Sequence, residues 1–174
     1  MRLFRMAAPF FNFMHSMSIH SLIYILLLCC PLMAQEFSGL VVAVFDGDTI
    51  KVLDSQKRQL KIRLDAIDAP EKGQPYSALS KKYLSSLVSG RTVRIVSSGT
   101  DRYGRTIGTV FIGKQNINLM VVEAGYAWHY VYFAEKKTEY AAAEARAKKA
   151  RRGLWADTAP PIPPWDFRKV KKSK

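Results

Sequence analysis

"RLDAIDAPE", residues 63–71, carries three evenly spaced acids, Asp65, Asp68 and Glu71, beside Arg63. Residues three apart can share one face of a helix, where acids are merely solvated. They can instead lie on a strand that runs into a turn and gathers charge around a metal. Pro70 decides between the two. The residue before a proline is pushed out of the helical region, and proline has no N–H with which to continue a ladder. A helix through all three acids would have to survive Pro70 near its middle. The stretch therefore reads as a strand that ends near Ile67 and turns at Ala69–Pro70.

The residues upstream extend this reading. "QLKIRLDAI" puts Leu60, Ile62 and Leu64 on one face and Lys61, Arg63 and Asp65 on the other, the period of a strand. "GLVVAVFDGDTIKVL" flanks Asp46–Gly47 with β-rich runs, a hairpin signal that predicts strands over 38–45 and 49–54. "DSQKR" makes the next turn.

Downstream, "ALSKKYLSSLV" predicts a helix with Ser77 as its cap and Gly90 at its end. "RTVRIVSSG" and "RTIGTVFI" read as strands joined through the turn "DRYGR". "INLMVVEAG" predicts a short helix capped by Asn116 and ended by Gly125. "EKKTEYAAAEARAKKARRG" predicts a longer one whose cations crowd the C-terminal end, where the helix dipole favours them. "APPIPPWDFRKVKKSK" predicts an extended, partly docked tail. Five short strands with interspersed helices describe a small β-barrel, closed or partly open, with helices packed on it.

The first 34 residues differ from the rest. Arg2 and Arg5 precede the apolar run Leu22–Ala34, which at 13 residues falls short of the roughly 20 a membrane span needs. This predicts a secretory signal cut after Ala34, with an uncleaved N-terminal anchor as the alternative. Cys29 and Cys30, the two cysteines of the chain, both lie in this segment. The remainder would thus enter an oxidising compartment with no disulfide and be held by burial alone. Two of the 27 Lys and Arg and none of the 14 acids lie in residues 1–34, leaving a net charge of +11 beyond them. Such a charge favours polyanions: nucleic acid, anionic lipid or acidic glycan.

Three fragments place both signs of charge at strand ends and turns: "FDGDTIKV" with Asp46 and Asp48, "IRLDAIDAPE" with Arg63, Asp68 and Glu71, and "DRYGR" with Arg102 and Arg105. Carboxylates are ligands for a hard cation such as Ca2+. Arginines clamp phosphate and keep their charge. A carboxylate beside them can orient or deprotonate water. Phosphodiester cleavage needs these parts. Neither a Cys–His zinc spacing nor a phosphate-cradling glycine loop occurs.

These fragments, in this order and at these separations, resemble the staphylococcal nuclease (thermonuclease) family from Phe37 to Ala156, with "GLWA" and a proline–tryptophan tail also as in its bacterial members. The resemblance implies an OB-fold, a five-stranded barrel with three packed helices, over 35–156. Residues 1–34 are then a signal peptide or anchor, and 157–174 a Pro-rich basic tail.

By the same resemblance Asp48 and Asp68 are Ca2+ ligands, with the Ala69 backbone carbonyl beside them. Glu71 is the general base or water-positioning residue, and Arg63 and Arg105 grip the scissile phosphate. Tyr130 and Tyr132 are both candidates for stacking on a base, and Tyr103 is a weaker one. Asp46 reads as the turn former, Asp65 as a solvated strand residue paired with Arg63 or Lys61, and Arg102 as surface. Trp128 and Phe133 read as core or groove wall, and His129 as outside catalysis.

The implied activity is a secreted or periplasmic, Ca2+-dependent, sugar-nonspecific nuclease. It acts on DNA and RNA, leaves 3′-phosphate ends, and is a monomer with no stable protein partner. Membrane contact follows only if the N-terminal segment stays uncleaved. The rival readings are a noncatalytic nucleic-acid-binding OB-fold protein and a basic envelope protein anchored by its N-terminus.

Overall fold

The computed structural model describes residues 35–134 and 137–172. The expected export segment, residues 1–34, and the Phe133 side chain lie outside what is described. In chain order the elements are β1 (Glu36–Val44), β2 (Thr49–Asp54), β3 (Gln59–Leu64), β4 (Ile67–Asp68), α1 (Ser77–Val88), β5 (Thr92–Thr100) and β6 (Thr106–Ile112). There follow β7 (Gln115–Asn116), α2 (Ile117–Glu123), β8 (Trp128–His129), α3 (Val131–Ala134), α4 (Thr138–Lys149), a short 3-10 helix (Gly153–Trp155) and α5 (Pro164–Lys172).

Five strands make the barrel in the order β3-β2-β1-β5-β6, and a parallel pairing of β3 with β6 closes it. Its inside is built by alternation. Ile50 and Val52, Ile62 and Leu64, Val93 and Ile95, and Val110 are all buried, each contributing about 1.5–3 kcal/mol by leaving water. Register shifts at Val41/Ala43 in β1 and at Ser97/Gly99 in β5 mark bulges. Bulges bend and twist a strand, which a small closed sheet requires. Leu84 and Val88 of α1, Ile117, Val121 and Val122 of α2, and Tyr140 and Ala143 of α4 join the same core. The three expected helices are therefore present, packed on the expected barrel.

Some boundaries differ from the sequence reading. β3 stops at Leu64, and Ala66 takes a left-handed φ of 66°. Ile67–Asp68 then forms a separate two-residue strand paired with Trp128–His129. The break comes before Pro70 because Asp65 N–H still bonds the Gly108 carbonyl at 2.9 Å, while Tyr130 N–H takes the Ala66 carbonyl at 2.8 Å. Two partner strands pull the chain in different directions at this point.

Ser77 is already helical, and the cap of α1 is Tyr76, left-handed at φ 66° with no side-chain capping bond. Asn116 does cap α2, accepting from Leu119 N–H at 3.1 Å, and Gly125 follows at φ 76°. The tail is the largest departure: residues 164–172 form helix α5 instead of an extended chain.

Candidate active site

The turn Asp46–Gly47–Asp48 joins β1 to β2. Asp46 Oδ1 accepts the Asp48 N–H at 3.0 Å and so shapes the turn. Gly47 is needed for close approach. A Cβ there would overlap the Ser80 hydroxyl of α1 and stand 2.7 Å from the Ala69 Cβ. With no side chain, the turn nests against α1 and the Pro70 bend. The Leu64 N–H binds the Asp48 carbonyl at 2.8 Å and ties the turn to the end of β3.

Asp48 is thereby buried with each carboxylate oxygen engaged. Oδ1 accepts from Thr49 Oγ1 at 3.0 Å, and Oδ2 accepts the Ala69 N–H at 2.8 Å. Ala69 was expected to offer its carbonyl to a metal; its amide holds Asp48 in place.

Arg63 alternates outward on β3 but is not a solvated charge. Its side chain is only 14% exposed and folds under the bend. Nη1 donates to the carbonyls of Leu64 at 3.0 Å and Ile67 at 2.8 Å, and it pairs with Asp48 Oδ2 at 3.1 Å. Nη2 donates to Asp68 Oδ1 at 2.8 Å. One guanidinium thus sets the shape of the bend and bridges the two acids.

Asp68, 1% exposed, sits on β4. Burial pushes its carboxyl up and the charge of Asp48 adds to this, against hydrogen bonds from Arg168 and the charge of Arg63. Asp46 is pushed up to about 6, first by burial and then by the charge of Asp48. Burial is thus the first cause in both carboxyls, and the charge of Asp48 a further one. Glu71 stands beyond the bend, more open to water. Its N–H is held by Gln74 Oε1 at 2.7 Å, and its carboxylate pairs with Arg168 at 2.6 Å.

Asp65 is not a solvated strand residue. It is mostly buried and pairs with Lys137 at 2.7 Å rather than with Arg63 or Lys61.

Arg105 is held in its own turn, its Nε on Asp101 Oδ2 at 2.6 Å. Ile107 pairs with Arg63 in the barrel register, so Arg105, just before β6, lies two residues from Arg63's neighbour. Among the described residues no ion pair joins Arg105 to Asp48, Asp68 or Glu71. Tyr103 is exposed beside it, with the Arg102 and Arg105 guanidinium groups 4.8 and 5.6 Å from its ring centre.

The pairing of β4 with β8 carries the aromatic run to the acids, with Asp68 opposite Trp128. Trp128 is buried against Trp155. His129 is buried, its Nε2 2.9 Å from the Ala134 carbonyl, as suits a core histidine. Tyr130 and Tyr132 stand 5.6 Å apart, ring centre to ring centre. Both meet Trp165, at 5.5 and 5.9 Å.

Arg168 and Trp165, both on α5, are the residues that the sequence reading missed. A signal was present. Pro164 opens the helix, where its missing N–H costs nothing, Asp166 sits in the first turn, and cations follow.

The family model described as staphylococcal nuclease homologue matches residues 61–157, a span that takes in Arg63, Asp68, Glu71 and Arg105. An Escherichia coli protein named as an uncharacterized endonuclease is 45% identical over 140 residues, which is 79% of this chain and 89% of that one. A Haemophilus influenzae protein of the same name is 43% identical over 76% of this chain and 73% of its own. The micrococcal nuclease of Shigella flexneri is 36% identical over 79% of this chain and 84% of its own.

Proposed function

The chain belongs to the staphylococcal nuclease family, and from that premise we propose that it is a secreted or periplasmic, Ca2+-dependent nuclease hydrolysing both DNA and RNA to 3′-phosphate ends. The observation that carries this reading is the convergence of Asp48, Arg63, Asp68 and Glu71 at one bend. A module that only binds nucleic acid has no need of buried acids crowded in this way.

The donor set suits a hard divalent cation, which takes oxygen ligands. Burial and mutual repulsion already make the negative charges on Asp46 and Asp68 costly, and a cation relieves both. Among the described residues no three acids, His or Cys form a ready-made cage. Asp48 and Asp68 would therefore hold Ca2+ together with the Ala69 carbonyl and water. When bound, Ca2+ supplies positive charge to the phosphoryl oxygens.

The remaining work falls to the protein. Glu71 orients the attacking water and accepts its proton. Arg63, locked by two backbone carbonyls, presents a preorganised charge to the phosphate, and Arg105 supplies a second from the turn that precedes β6. Losing one such donor costs about 10²–10³ in rate. Tyr130 and Tyr132 offer a platform on which any base can stack. The basic surface collects substrate by counterion release, so binding falls steeply with salt.

The test is digestion of plasmid DNA and of RNA by the full chain in Ca2+, then in chelator, beside Glu71→Gln and Arg63→Ala. The expected result is Ca2+-dependent cleavage of both substrates, strongly reduced in each variant. Equal cleavage by all three proteins would remove the assigned site. Cleavage indifferent to chelator would remove the metal. Tight, salt-sensitive binding with no cleavage would leave a nucleic-acid-binding module.

A further inference from the structure

Helix α5 touches both halves of the site at once. Arg168 donates Nη2 to Asp68 Oδ2 at 2.8 Å, and Nη1 to Glu71 Oε1 at 2.6 Å and Asp68 Oδ1 at 3.3 Å. Three residues earlier, on the same helix face, Trp165 stacks on Tyr130 at 5.5 Å and 29° and meets Tyr132 edge-on at 5.9 Å. Just before the helix, the Ile162 carbonyl accepts from Gln74 Nε2 at 3.1 Å, and Gln74 also holds the Glu71 amide. The tail therefore sets a cation on the acids and a flat aromatic ring on the tyrosines, which are the two things that a cation and a nucleobase would bring.

We propose that helix Pro164–Lys172 is a displaceable latch, with Arg168 standing in for the divalent cation at Asp68 while it also occupies the Glu71 carboxylate, and Trp165 for a base at Tyr130 and Tyr132. This rests on the roles given to those residues under the proposed function.

The latch is built to leave. Arg168 and Glu71 are each 39% exposed, and an ion pair half in water holds weakly; the contact with buried Asp68 is the one a cation must displace. Residues 157–163 have no regular element and include Pro160, Pro161 and Pro163. Such a linker is a semi-rigid spacer, so α5 can swing away while the barrel stays folded. Cation and nucleic acid must then compete with the tail, and their apparent affinities are reduced by the fraction of open protein.

The test is calorimetric titration of CaCl2 into the full chain, Arg168→Gln and Trp165→Ala, with thermal melting of each. Arg168→Gln removes the stand-in cation, and Trp165→Ala loosens the latch from its other end without touching the acids. Both should bind Ca2+ more tightly than the parent, by about tenfold if the tail is closed nine-tenths of the time. They should also melt within a few degrees of it. Unchanged or weaker binding in folded variants, or binding by none of the three proteins, overturns the latch. Failure of both variants to fold also overturns it, because a segment that can leave is not needed for the fold. Tighter Ca2+ binding with no cleavage of plasmid or RNA leaves the latch standing and overturns the nuclease reading alone.

Discussion

The carboxylate of Asp48 accepts the backbone N–H of Ala69 at 2.8 Å, across 21 residues of chain. This bond locks the β1–β2 turn to the bend before Pro70. Ala69 has its amide free for the purpose because the β4–β8 pairing ends at Asp68. A backbone donor cannot change rotamer, so Asp48 is aimed before any ligand arrives.

Gly47→Ala should break that lock. The added methyl meets the Ser80 hydroxyl and the Ala69 Cβ, and overpacking of this kind typically costs about 1–3 kcal/mol. Urea unfolding should show the loss, and Ca2+ affinity should fall with it as Asp48 moves. A variant as stable as the parent would show that the turn can shift away from α1.

Arg63→Ala should destabilise the fold as well as slow cleavage. It strips one partner from each of Asp68 and Asp48 and takes the shared Nη1 donor from the carbonyls of Leu64 and Ile67. Removing one partner of a buried ion pair costs about 3–5 kcal/mol. Here the loss should be smaller, because Arg168 still faces Asp68. Arg63→Lys keeps the charge but cannot reproduce the fork, so it should recover part of the melting temperature and little of the rate.

Asn118→Leu tests the joint that bends the chain at Asp65–Ala66. Asn118 is fully buried. Its Oδ1 accepts from Val110 N–H at 3.0 Å, and its Nδ2 donates to the carbonyls of Asp65 at 2.9 Å and Gly108 at 3.2 Å. Leucine has similar bulk but strands the Val110 N–H and the Asp65 carbonyl, each at a cost of about 1–3 kcal/mol, while the Gly108 carbonyl keeps the Asp65 N–H. Chemical denaturation should show one of the largest losses of any single substitution in the barrel.

Asp46 gives a pH dependence whose sign is set. Its carboxyl is raised from 3.8 to about 6 by burial and by the charge of Asp48. Between those values the folded chain binds more protons than the unfolded one, so stability falls as pH rises through the window. The penalty is complete above about 6 and absent below 3.8. In chelator, the protein should therefore resist urea better at pH 5 than at pH 7. Asp46→Asn should flatten that slope and stabilise the chain at pH 7 by roughly 1–3 kcal/mol. Asp101 acts in the other direction and lower down. Partial burial would raise it, but hydrogen bonds from Arg105 and Tyr103 hold it below its usual 3.8. Its contribution is lost only as pH falls through that lower value. A slope between pH 5 and 7 that is unchanged in Asp46→Asn would assign the effect elsewhere.

Pro70 excluded a helix through the acids by steric rules that act within two residues, and the alternation of Leu60, Ile62 and Leu64 named the face of β3 that fills the barrel. The Asp-Gly turn, the Asn116 cap and Gly125 were legible for the same reason: each is local chemistry. Charge at strand ends and turns made Asp48, Arg63, Asp68 and Glu71 candidates, and the family resemblance singled them out. The direction in which each side chain turns was not legible. Arg63 folds inward because two carbonyls and two acids await it under a bend that exists only once β3 pairs with β6. Asp65 finds Lys137, 72 residues on, and Asp68 finds Arg168, 100 residues on. Contacts at such separations depend on how closed loops and docked helices meet in space, and neither period nor propensity encodes that. The sequence by itself determined the barrel and the acids; only the tertiary structure decided which cation faces them.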